Sequence, residues 1–354
     1  MADELKKHRE RIDALDDEIL KLISERATHA QAIGQLKNGL VYRPEREAQI
    51  LTRIKENNPG PLADETVARL FREVMSACLA LEKPLSVAYL GPEGTFSQAA
   101  AIKHFGHEAK TSACSSIDDV FRAVEAGAAD YGVAPVENST EGSVNRTLDL
   151  MLASALKICG EVELRIHHHL LRKIAGMKDV QKIYSHAQSF AQCHAWLNQN
   201  LKNVPRIQVA SNAEAARLTA HDENAAAIAG ETAAEIYGLV KLVENIEDEP
   251  NNTTRFLVVG AHDAAPSGKD KTSLVMSAQN QPGAVHALLS PLSKYGVSMT
   301  KFESRPARTG AWEYVFYVDL EGHQQDKNIA KALQELKGCA AYLKILGSYP
   351  IAVL

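Results

Sequence analysis

Apolar residues recur at helical spacing through most of the first 83 residues. The longest such segment runs from Asp3 to Asn38 and predicts a helix of about 50 Å, at about 1.5 Å rise per residue. Further helices are predicted from Pro44 to Asn57 and from Asp64 to the break at Pro84. So long a helix cannot bury its apolar stripe within so small a unit, and we expect it to pair with a second copy of the chain.

The pattern changes at Leu85, where short apolar runs begin to alternate with alanine-rich helical stretches. This alternation predicts an α/β unit with parallel sheets. After a linker rich in Pro, Gly and charge, the segments follow the order strand, helix, strand, strand, helix, strand, which is the ferredoxin-like arrangement. We therefore predict an all-α three-helix unit at 1–83, an α/β two-lobed unit at 85–262 and a ferredoxin-like βαββαβ unit at 272–354.

Composition and charge exclude several classes of protein. The 354 residues are 45% hydrophobic and carry a net charge of −5, which is typical of a soluble globular protein and argues against a nucleic-acid partner. No apolar run approaches the roughly 20 residues of a membrane span, so no membrane partner is expected. The five cysteines are scattered and the amino terminus is charged from its start, and a cytoplasmic location without disulfides or a zinc site is expected.

Two cations interrupt the apolar face of the first predicted helix. Arg26 lies seven residues after Ile19 and seven before Ile33, and Lys37 lies three turns further on near the same face. Long basic side chains can reach water from such positions, but cations grouped with acids around a helical core also suit a compact dianion. Arg9 lies about 100° around the helix from Arg26, near the helix end, where it could serve a neighbouring chain's site.

The segments RERIDALDDEILKLISERATHAQAIGQLK and YRPEREAQIL resemble the all-helical class of chorismate mutase. The resemblance covers nearly all of residues 1–83 and implies an intertwined dimer that converts chorismate to prephenate without a cofactor. It implies that Arg9 comes from the partner chain and that Lys37 stabilises the ether oxygen. The substrate-binding residues that it implies are Arg9, Arg26, Lys37, Arg46, Glu47 and Glu82.

Glu82 stands where the familiar bacterial bifunctional enzymes have a glutamine. The rearrangement is pericyclic, so the site must hold a reactive conformer and stabilise negative charge on the ether oxygen. An ionised Glu82 would repel that oxygen, whereas a protonated Glu82 would donate a hydrogen bond to it. We therefore expect mutase activity to fall as rising pH ionises Glu82, and a Glu82→Gln variant assayed over the same range to lose this fall. An unchanged pH profile in the variant would contradict the role.

The α/β unit contains SVAYLGPEGTFSQAAA, GVAPVENSTEGSV, YSHAQSFAQC and NTTRF, which in this order resemble prephenate dehydratase over roughly residues 85–260. The family fold has two α/β lobes around a cleft, similar to periplasmic binding proteins. The resemblance implies that prephenate loses CO₂ and water there to form phenylpyruvate. No dinucleotide or Walker A loop is present, so no nucleotide cofactor is expected. The substrate-binding residues implied are Glu137, Asn138, Ser185, Gln192, Thr254 and Arg255.

Thr254 and Arg255 are the two residues expected to act most directly on prephenate. Aromatisation supplies the driving force, so the enzyme chiefly needs a donor for the departing hydroxyl. Thr254 is expected to donate within a hydrogen-bond network, and Arg255 to anchor a carboxylate in a forked geometry. Thr95 to Ser97 are expected nearby, and His186 either contacts the site or is structural. The triplet His167–His169 is not expected to bind a metal, because alternate strand residues point to opposite faces.

Residues from about 272 to 350 resemble an ACT domain, a small module that binds amino acids at dimer interfaces. NQPGAV and ESRP match the phenylalanine-sensing motifs of the dehydratase family, although Val285 replaces the usual leucine. Backbone amides at a glycine turn that opens a helix suit a ligand carboxylate. The resemblance implies feedback by phenylalanine, which substitutions at Glu303 or Ser304 should relieve. The effector-binding residues implied are Asn280, Gly283, Ala284, Val285, Glu303, Ser304, Arg305 and Pro306.

These resemblances together imply a bifunctional enzyme with an amino-acid-sensing tail, a homodimer or larger homo-oligomer that uses no metal and no cofactor. Two alternatives remain open. A solute-binding or sensing protein could use the same two-lobed fold. A mutase joined to a prephenate dehydrogenase would need a dinucleotide loop, which this sequence lacks.

Overall fold

The computed structural model describes residues 1–36, 41–279, 281–307 and 314–354. The first unit consists of the three helices α1 (Ala2–Leu36), α2 (Pro44–Glu56) and α3 (Asp64–Glu82). They confirm the predicted helices to within about two residues, the usual uncertainty of a helix boundary, except that the predicted end of the first helix at Asn38 lies outside the described residues. Pro44 occupies the first turn of α2, where its missing N–H removes no helical hydrogen bond.

Helix α1 buries none of its side chains along its whole length. Its apolar residues are instead exposed, and they include Leu5, Ile12, Ile19, Leu20, Leu22 and Ile33. A contiguous apolar stripe of this kind marks an interaction surface. The expected pairing with a second chain stays a prediction, and α1 is the surface on which it would form.

The middle of the chain forms two α/β lobes. In chain order the strands are β1 (Ser86–Leu90), β2 (Lys110–Cys114), β3 (Tyr131–Asn138), β4 (Gly142–Ser143), β5 (Lys157–Arg165), β6 (His169–Arg172), β7 (Lys182–Ser185), β8 (Arg206–Gln208), β9 (Ala225–Ala229), β10 (Val240–Val243) and β11 (Thr253–Gly260). The helices are α4 (Phe96–Phe105), α5 (Ile117–Glu125), α6 (Asn145–Ala153), α7 (Ala187–Gln192), α8 (His194–Asn200), α9 (Asn212–Thr219) and α10 (Glu231–Tyr237). The first sheet has the order β2-β1-β3-β11-β5 with β4 beside β3, and the second has the order β10-β6-β9-β7-β8.

Both sheets are mixed, which differs from the predicted parallel sheets. In the first sheet β1 runs parallel to β2 and β3, but β11 runs antiparallel to β3 and β5. The reason is the path of the chain, since β5 leaves the first lobe and β11 returns to it from the second. These two strands lie side by side, with Thr253 opposite Arg165, and they connect the lobes at the cleft.

The last unit is a four-stranded antiparallel sheet with two helices, in the predicted βαββαβ order. Its elements are β12 (Asp270–Ser277), α11 (Ala284–Lys294), β13 (Met299–Pro306), β14 (Tyr314–Glu321), α12 (Lys327–Cys339) and β15 (Tyr342–Pro350). Leu274 faces the core shared with α11 and α12, while its neighbour Val275 faces the first lobe. Because strand residues alternate between faces, one sheet serves both packing surfaces.

The three units pack against one another. Tyr42, which precedes α2, is buried among aromatic side chains of the first lobe that include Phe105 and Tyr131. On the other side, Gly347 brings β15 so close to β5 that a Cβ at this position would collide with the backbone of Ile158. None of the helices in the described part of the chain combines the length and apolar content needed to cross a bilayer.

Candidate functional site

A cleft of about 510 Å³ lies between the two lobes, where β3 ends and where β11, α4 and α9 begin. Among the described residues that line it there is no Lys or Arg. An anion in this cleft would therefore meet neutral donors and the amino termini of helices, which favour negative charge. The polar residues that line it include Thr95, Ser97, Ser115, Asn138, His168, His186, Ser189, Gln192, Ser211, Asn252 and Thr254.

Asn138 and Thr254 form a fixed donor–acceptor pair in this cleft. The Asn138 Oδ1 accepts hydrogen bonds from the Thr140 backbone N–H at 3.0 Å, the Thr140 hydroxyl at 2.6 Å and the Glu141 N–H at 3.1 Å. The amide orientation of Asn138 is thereby set, and its Nδ2 donates to Thr254 Oγ1 and to Asn252 Oδ1, each at 2.8 Å. Because Thr254 Oγ1 accepts this bond, its own proton is available for a group in the cleft.

Arg255 does not lie in the cleft, although the sequence predicted that it would anchor a substrate carboxylate. It follows Thr254 on β11, so its side chain points to the opposite face of the sheet. There its guanidinium contacts Glu161 at 2.8 Å, Asp319 at 2.6 Å and the Tyr349 hydroxyl at 2.8 Å. Burial opposes its charge, but these three neighbours outweigh burial and raise the pKa of Arg255. Arg255 thus joins the first lobe to the last unit.

Glu137 is also on the far side of the sheet, for the same reason. It pairs across the strands with Arg255, just as Asn138 pairs with Thr254. Its Oε2 lies 3.0 Å from Lys301 Nζ on β13, so its charge is compensated within the protein rather than by substrate. The structure therefore places Asn138 and Thr254 in the cleft. Glu137 and Arg255 lie on the opposite face of the sheet, towards the last unit.

Ser185 lies beneath the wall of the cleft and is fully buried. Its hydroxyl is 3.1 Å from both Asn212 Oδ1 and the Ile228 carbonyl oxygen. Asn212 lines the cleft, so Ser185 supports a lining residue and does not itself reach the space where a substrate would bind.

Gln192 does line the cleft, in contact with a histidine that sequence analysis did not assign to the site. His168 Nε2 lies 2.8 Å from Gln192 Oε1, and burial lowers the pKa of His168, so the imidazole is neutral. His167 and His169 are not among the lining residues, and their rings stack on each other. Asn252 was missed as well, because an asparagine in a polar turn carries no signal of its own.

The described mutase residues do not converge within one chain. Arg9 and Arg26 lie seventeen residues apart on α1, about 25 Å at about 1.5 Å per residue, which is too far for both to contact one small dianion. Arg46 is exposed at the start of α2. Lys37 lies outside the described residues.

Glu47 and Glu82 each contact a neighbouring helix of the three-helix unit. Glu47 Oε1 lies 3.0 Å from Arg72 on α3, and burial raises the pKa of Glu47 against the opposing effect of that arginine. Arg72 also donates to the His104 carbonyl oxygen of the first lobe. Glu82 packs on Gly34 of α1 so closely that a Cβ at Gly34 would lie 2.7 Å from its side chain. Gly34 therefore permits the close crossing of α1 and α3.

Only some residues of the two sensor motifs, NQPGAV and ESRP, line a common cavity. Gly283, in a left-handed conformation with φ of 78°, precedes α11, and a cavity of about 970 Å³ is lined by Gly283, Ala284, Val285, Arg305 and Pro306. Glu303 points instead at the first lobe, where it contacts Ser143. It also lies 3.2 Å from Lys301 on its own strand, β13. Ser304 is exposed and does not line this cavity. Asn280 lies outside the described residues.

Three family models match the chain, namely chorismate mutase type II over residues 8–83, prephenate dehydratase over residues 87–264 and the ACT domain over residues 272–338. The bifunctional chorismate mutase/prephenate dehydratase of Neisseria gonorrhoeae is 62% identical over 351 residues, which are 98% of this chain and 97% of that protein.

Two solved structures are similar to the two-lobed and sensor units. A prephenate dehydratase from Arthrobacter aurescens in complex with L-Phe superimposes with a TM-score of 0.69 at 32% identity, over 75% of this chain and 90% of that one. A quorum-quenching acylase, GqqA, superimposes with a TM-score of 0.70 at 30% identity, over 75% of this chain and 98% of that one.

Proposed function

The chain belongs to the bifunctional chorismate mutase/prephenate dehydratase family, and we propose from this premise how its residues divide the two reactions. It is an isomerase and a lyase, converting chorismate to prephenate and prephenate to phenylpyruvate. We assign the first reaction to residues 1–83, the second to 85–262 and phenylalanine sensing to 272–354. We further propose a cytoplasmic location, which suits five cysteines that are all free thiols.

Dehydration rests on the contact between Asn138 and Thr254 in the interlobe cleft. As the bond from the ring to CO₂ breaks, its electron pair moves into the ring and the C–O bond to the ring hydroxyl breaks at the other end. The oxygen leaves as hydroxide, which takes a proton from solvent to become water. Negative charge develops on the departing oxygen, and a donor aimed at it lowers the barrier. Thr254 donates that hydrogen bond, while Asn138 holds the threonine oxygen at 2.8 Å and so aims its proton.

Neutral donors bind the two carboxylates of prephenate in this proposal. Arg255 is buried on the other face of the sheet, and the described residues that line the cleft include no arginine or lysine. Thr95 caps the amino terminus of α4 and Ser211 that of α9, and both helix termini open into the cleft. Their backbone amides and partial positive charge suit anions, and the Gln192 amide adds a further donor.

Mutase activity requires two chains in this proposal. Arg9 and Arg26 of one chain are too far apart to share a substrate, whereas an antiparallel partner would bring Arg9 of one chain beside Arg26 of the other. Such a partner would also cover the exposed apolar stripe of α1. Arg26, Arg46 and the partner arginine bind the dianion, and Glu47 accepts a hydrogen bond from the substrate hydroxyl. Lys37 stabilises the charge on the ether oxygen, and Glu82 completes the set of groups at that oxygen.

A single assay tests the function as a whole. Purified full-length chain incubated with chorismate and no added cofactor should produce first prephenate and then phenylpyruvate. A mutase–dehydrogenase would stop at prephenate until a nicotinamide cofactor was added, and a solute-binding protein would leave chorismate unchanged. Either of those results would overturn the proposal.

The sensor acts on the cleft from behind the sheet in this proposal. Lys301 on β13 lies 3.0 Å from Glu137, 3.2 Å from Glu303 and 3.1 Å from Ser143. Glu137 precedes Asn138 on β3, so this lysine connects the effector motif ESRP to a residue beside the catalytic pair. Phenylalanine bound at the start of α11 would shift β13 and, through this ion pair, the position of Asn138.

Replacing Lys301 with methionine should weaken inhibition by phenylalanine more than it changes dehydration itself. We expect the phenylalanine concentration that halves the rate to rise by at least about fivefold, the lower end of ordinary allosteric couplings. The measurement is the prephenate dehydration rate as a function of phenylalanine. Lys294→Met is a matched control, because Lys294 pairs with Glu335 inside the sensor. Inhibition of Lys301→Met at the wild-type concentration would contradict this route.

A further inference from the structure

We propose that His168 is a positioning residue for dehydration, whose imidazole holds the Gln192 side chain so that the amide NH₂ group faces the substrate. The proposal rests on the function assigned above to the interlobe cleft. It gives a role to the middle histidine of the triplet 167–169, which neither metal binding nor the mechanism derived so far uses.

The ring of His168 is held firmly. It is 1% exposed, and its backbone N–H donates to Glu247 Oε2 at 2.9 Å. Phe96 of α4 packs edge-on against the imidazole, with ring centroids 5.6 Å apart and planes at 74°. Phe96 of the first lobe thus fixes the ring and Glu247 of the second lobe fixes the backbone, and the ring Nε2 lies 2.8 Å from Gln192 Oε1. A ring fixed in this way can impose an orientation on a more flexible amide.

Two arrangements of the protons could satisfy that contact. In the first, Nε2–H of His168 donates to Gln192 Oε1, and Nδ1 is left as a bare acceptor. In the second, the Gln192 amide is turned round and donates to Nε2, which puts the proton of the neutral ring on Nδ1. Neither His168 Nδ1 nor Gln192 Nε2 has a hydrogen-bond partner among the described residues.

The first arrangement is the one in the structure. The Gln192 atom that lies 2.8 Å from Nε2 is the carbonyl oxygen Oε1, which can only accept, so Nε2 carries the proton. Burial also keeps the imidazole neutral, because it lowers the pKa of His168, so the ring carries one proton only. The Gln192 carbonyl is then occupied by the ring, and its buried NH₂ group is left as a donor without a partner among the described residues, beside the cleft that Gln192 lines.

A dianionic substrate makes this orientation matter. The described cleft lining contains no Lys or Arg, so each correctly aimed neutral donor carries more of the binding. The turned amide would present a carbonyl oxygen to a carboxylate and replace an attraction with a repulsion. His168 therefore acts on prephenate through Gln192 and without contacting the reacting atoms.

Replacing His168 with phenylalanine should keep the ring packing and release the amide. We expect the KM for prephenate to rise roughly tenfold, as for loss of one hydrogen bond to a charged group, with a smaller change in kcat. Gln192→Leu should have a similar effect. In the double variant the effect of His168→Phe should vanish, because it acts only through the residue already removed.

Two controls make the result decisive. His169→Phe alters an equally buried neighbour whose ring accepts from the Asn245 N–H and does not touch Gln192, so its effect should add to that of Gln192→Leu. Mutase turnover should stay unchanged in every variant, which reports on folding. An unchanged KM in His168→Phe, or effects of His168→Phe and Gln192→Leu that add, would overturn the proposal. Failure of the wild type to dehydrate prephenate would instead overturn the assigned function.

Discussion

Thr254→Val should lower the rate of prephenate dehydration by about 10²- to 10³-fold, the usual cost of removing a donor that stabilises developing negative charge. Valine keeps the shape of threonine and its preference for a strand, so β11 and its register with β3 should be retained. What is lost is the hydroxyl that accepts from Asn138 Nδ2 at 2.8 Å and offers its proton to the cleft. The measurement is phenylpyruvate formation from prephenate.

Two controls accompany this variant. Thr254→Ser restores a hydroxyl and should recover most of the activity, since the Asn138 amide is fixed by three other hydrogen bonds and can still orient it. Rearrangement of chorismate should remain at the wild-type rate in both variants, because the residues proposed for it lie within 1–83. Near-normal dehydration by Thr254→Val would remove Thr254 from the mechanism.

Co-expression of Arg9→Ala and Arg26→Ala chains should restore mutase activity that neither chain has alone. Each variant by itself should lose about 10²-fold or more, because each removes a cation from every site. In a mixed dimer one site has lost both arginines, while the other takes an intact Arg9 from one chain and an intact Arg26 from the other. Random pairing gives about half mixed dimers, so about a quarter of wild-type activity should return.

The dehydratase provides the reference for this experiment. Its rate should be the same in the two variants and in their mixture, which allows mutase activity to be expressed per folded chain. A double variant carrying both changes in one chain, co-expressed with wild type, checks the mixing. No recovery in co-expressed Arg9→Ala and Arg26→Ala chains would show that the two arginines do not form one site across two chains, and the proposed pairing of α1 would be wrong.

Local patterns in the sequence were sufficient for most of the fold. The apolar spacing, Pro44 and the break at Pro84 locate α1 to α3, because helix periodicity and proline geometry are properties of neighbouring residues. The same holds for the βαββαβ order of the last unit. Strand direction in the lobes was not predictable in this way. It depends on β11 returning from the second lobe, a pairing between residues nearly a hundred positions apart.

The sequence predicted most residues of the site, but not the face of the sheet on which each side chain lies. Thr254, Asn138 and Gln192 were assigned to the cleft from a resemblance and do line it. Arg255 and Glu137 were assigned with them, yet strict alternation along a strand cannot place adjacent side chains in one site. The rule that separates the three histidines of the triplet thus also separates Thr254 from Arg255, and only the packed sheet shows which of the two faces the cleft.

What the sequence determined by itself is therefore local: the helices and strands, the family, and the residue types that the two reactions need. The tertiary structure decided which side of each strand meets a substrate and which meets another unit. It turned Arg255 and Glu137 towards the sensor, placed Ser185 beneath the cleft wall and brought His168 to Gln192. These outcomes depend on how separate sheets pack, and packing is settled by contacts between residues distant in sequence.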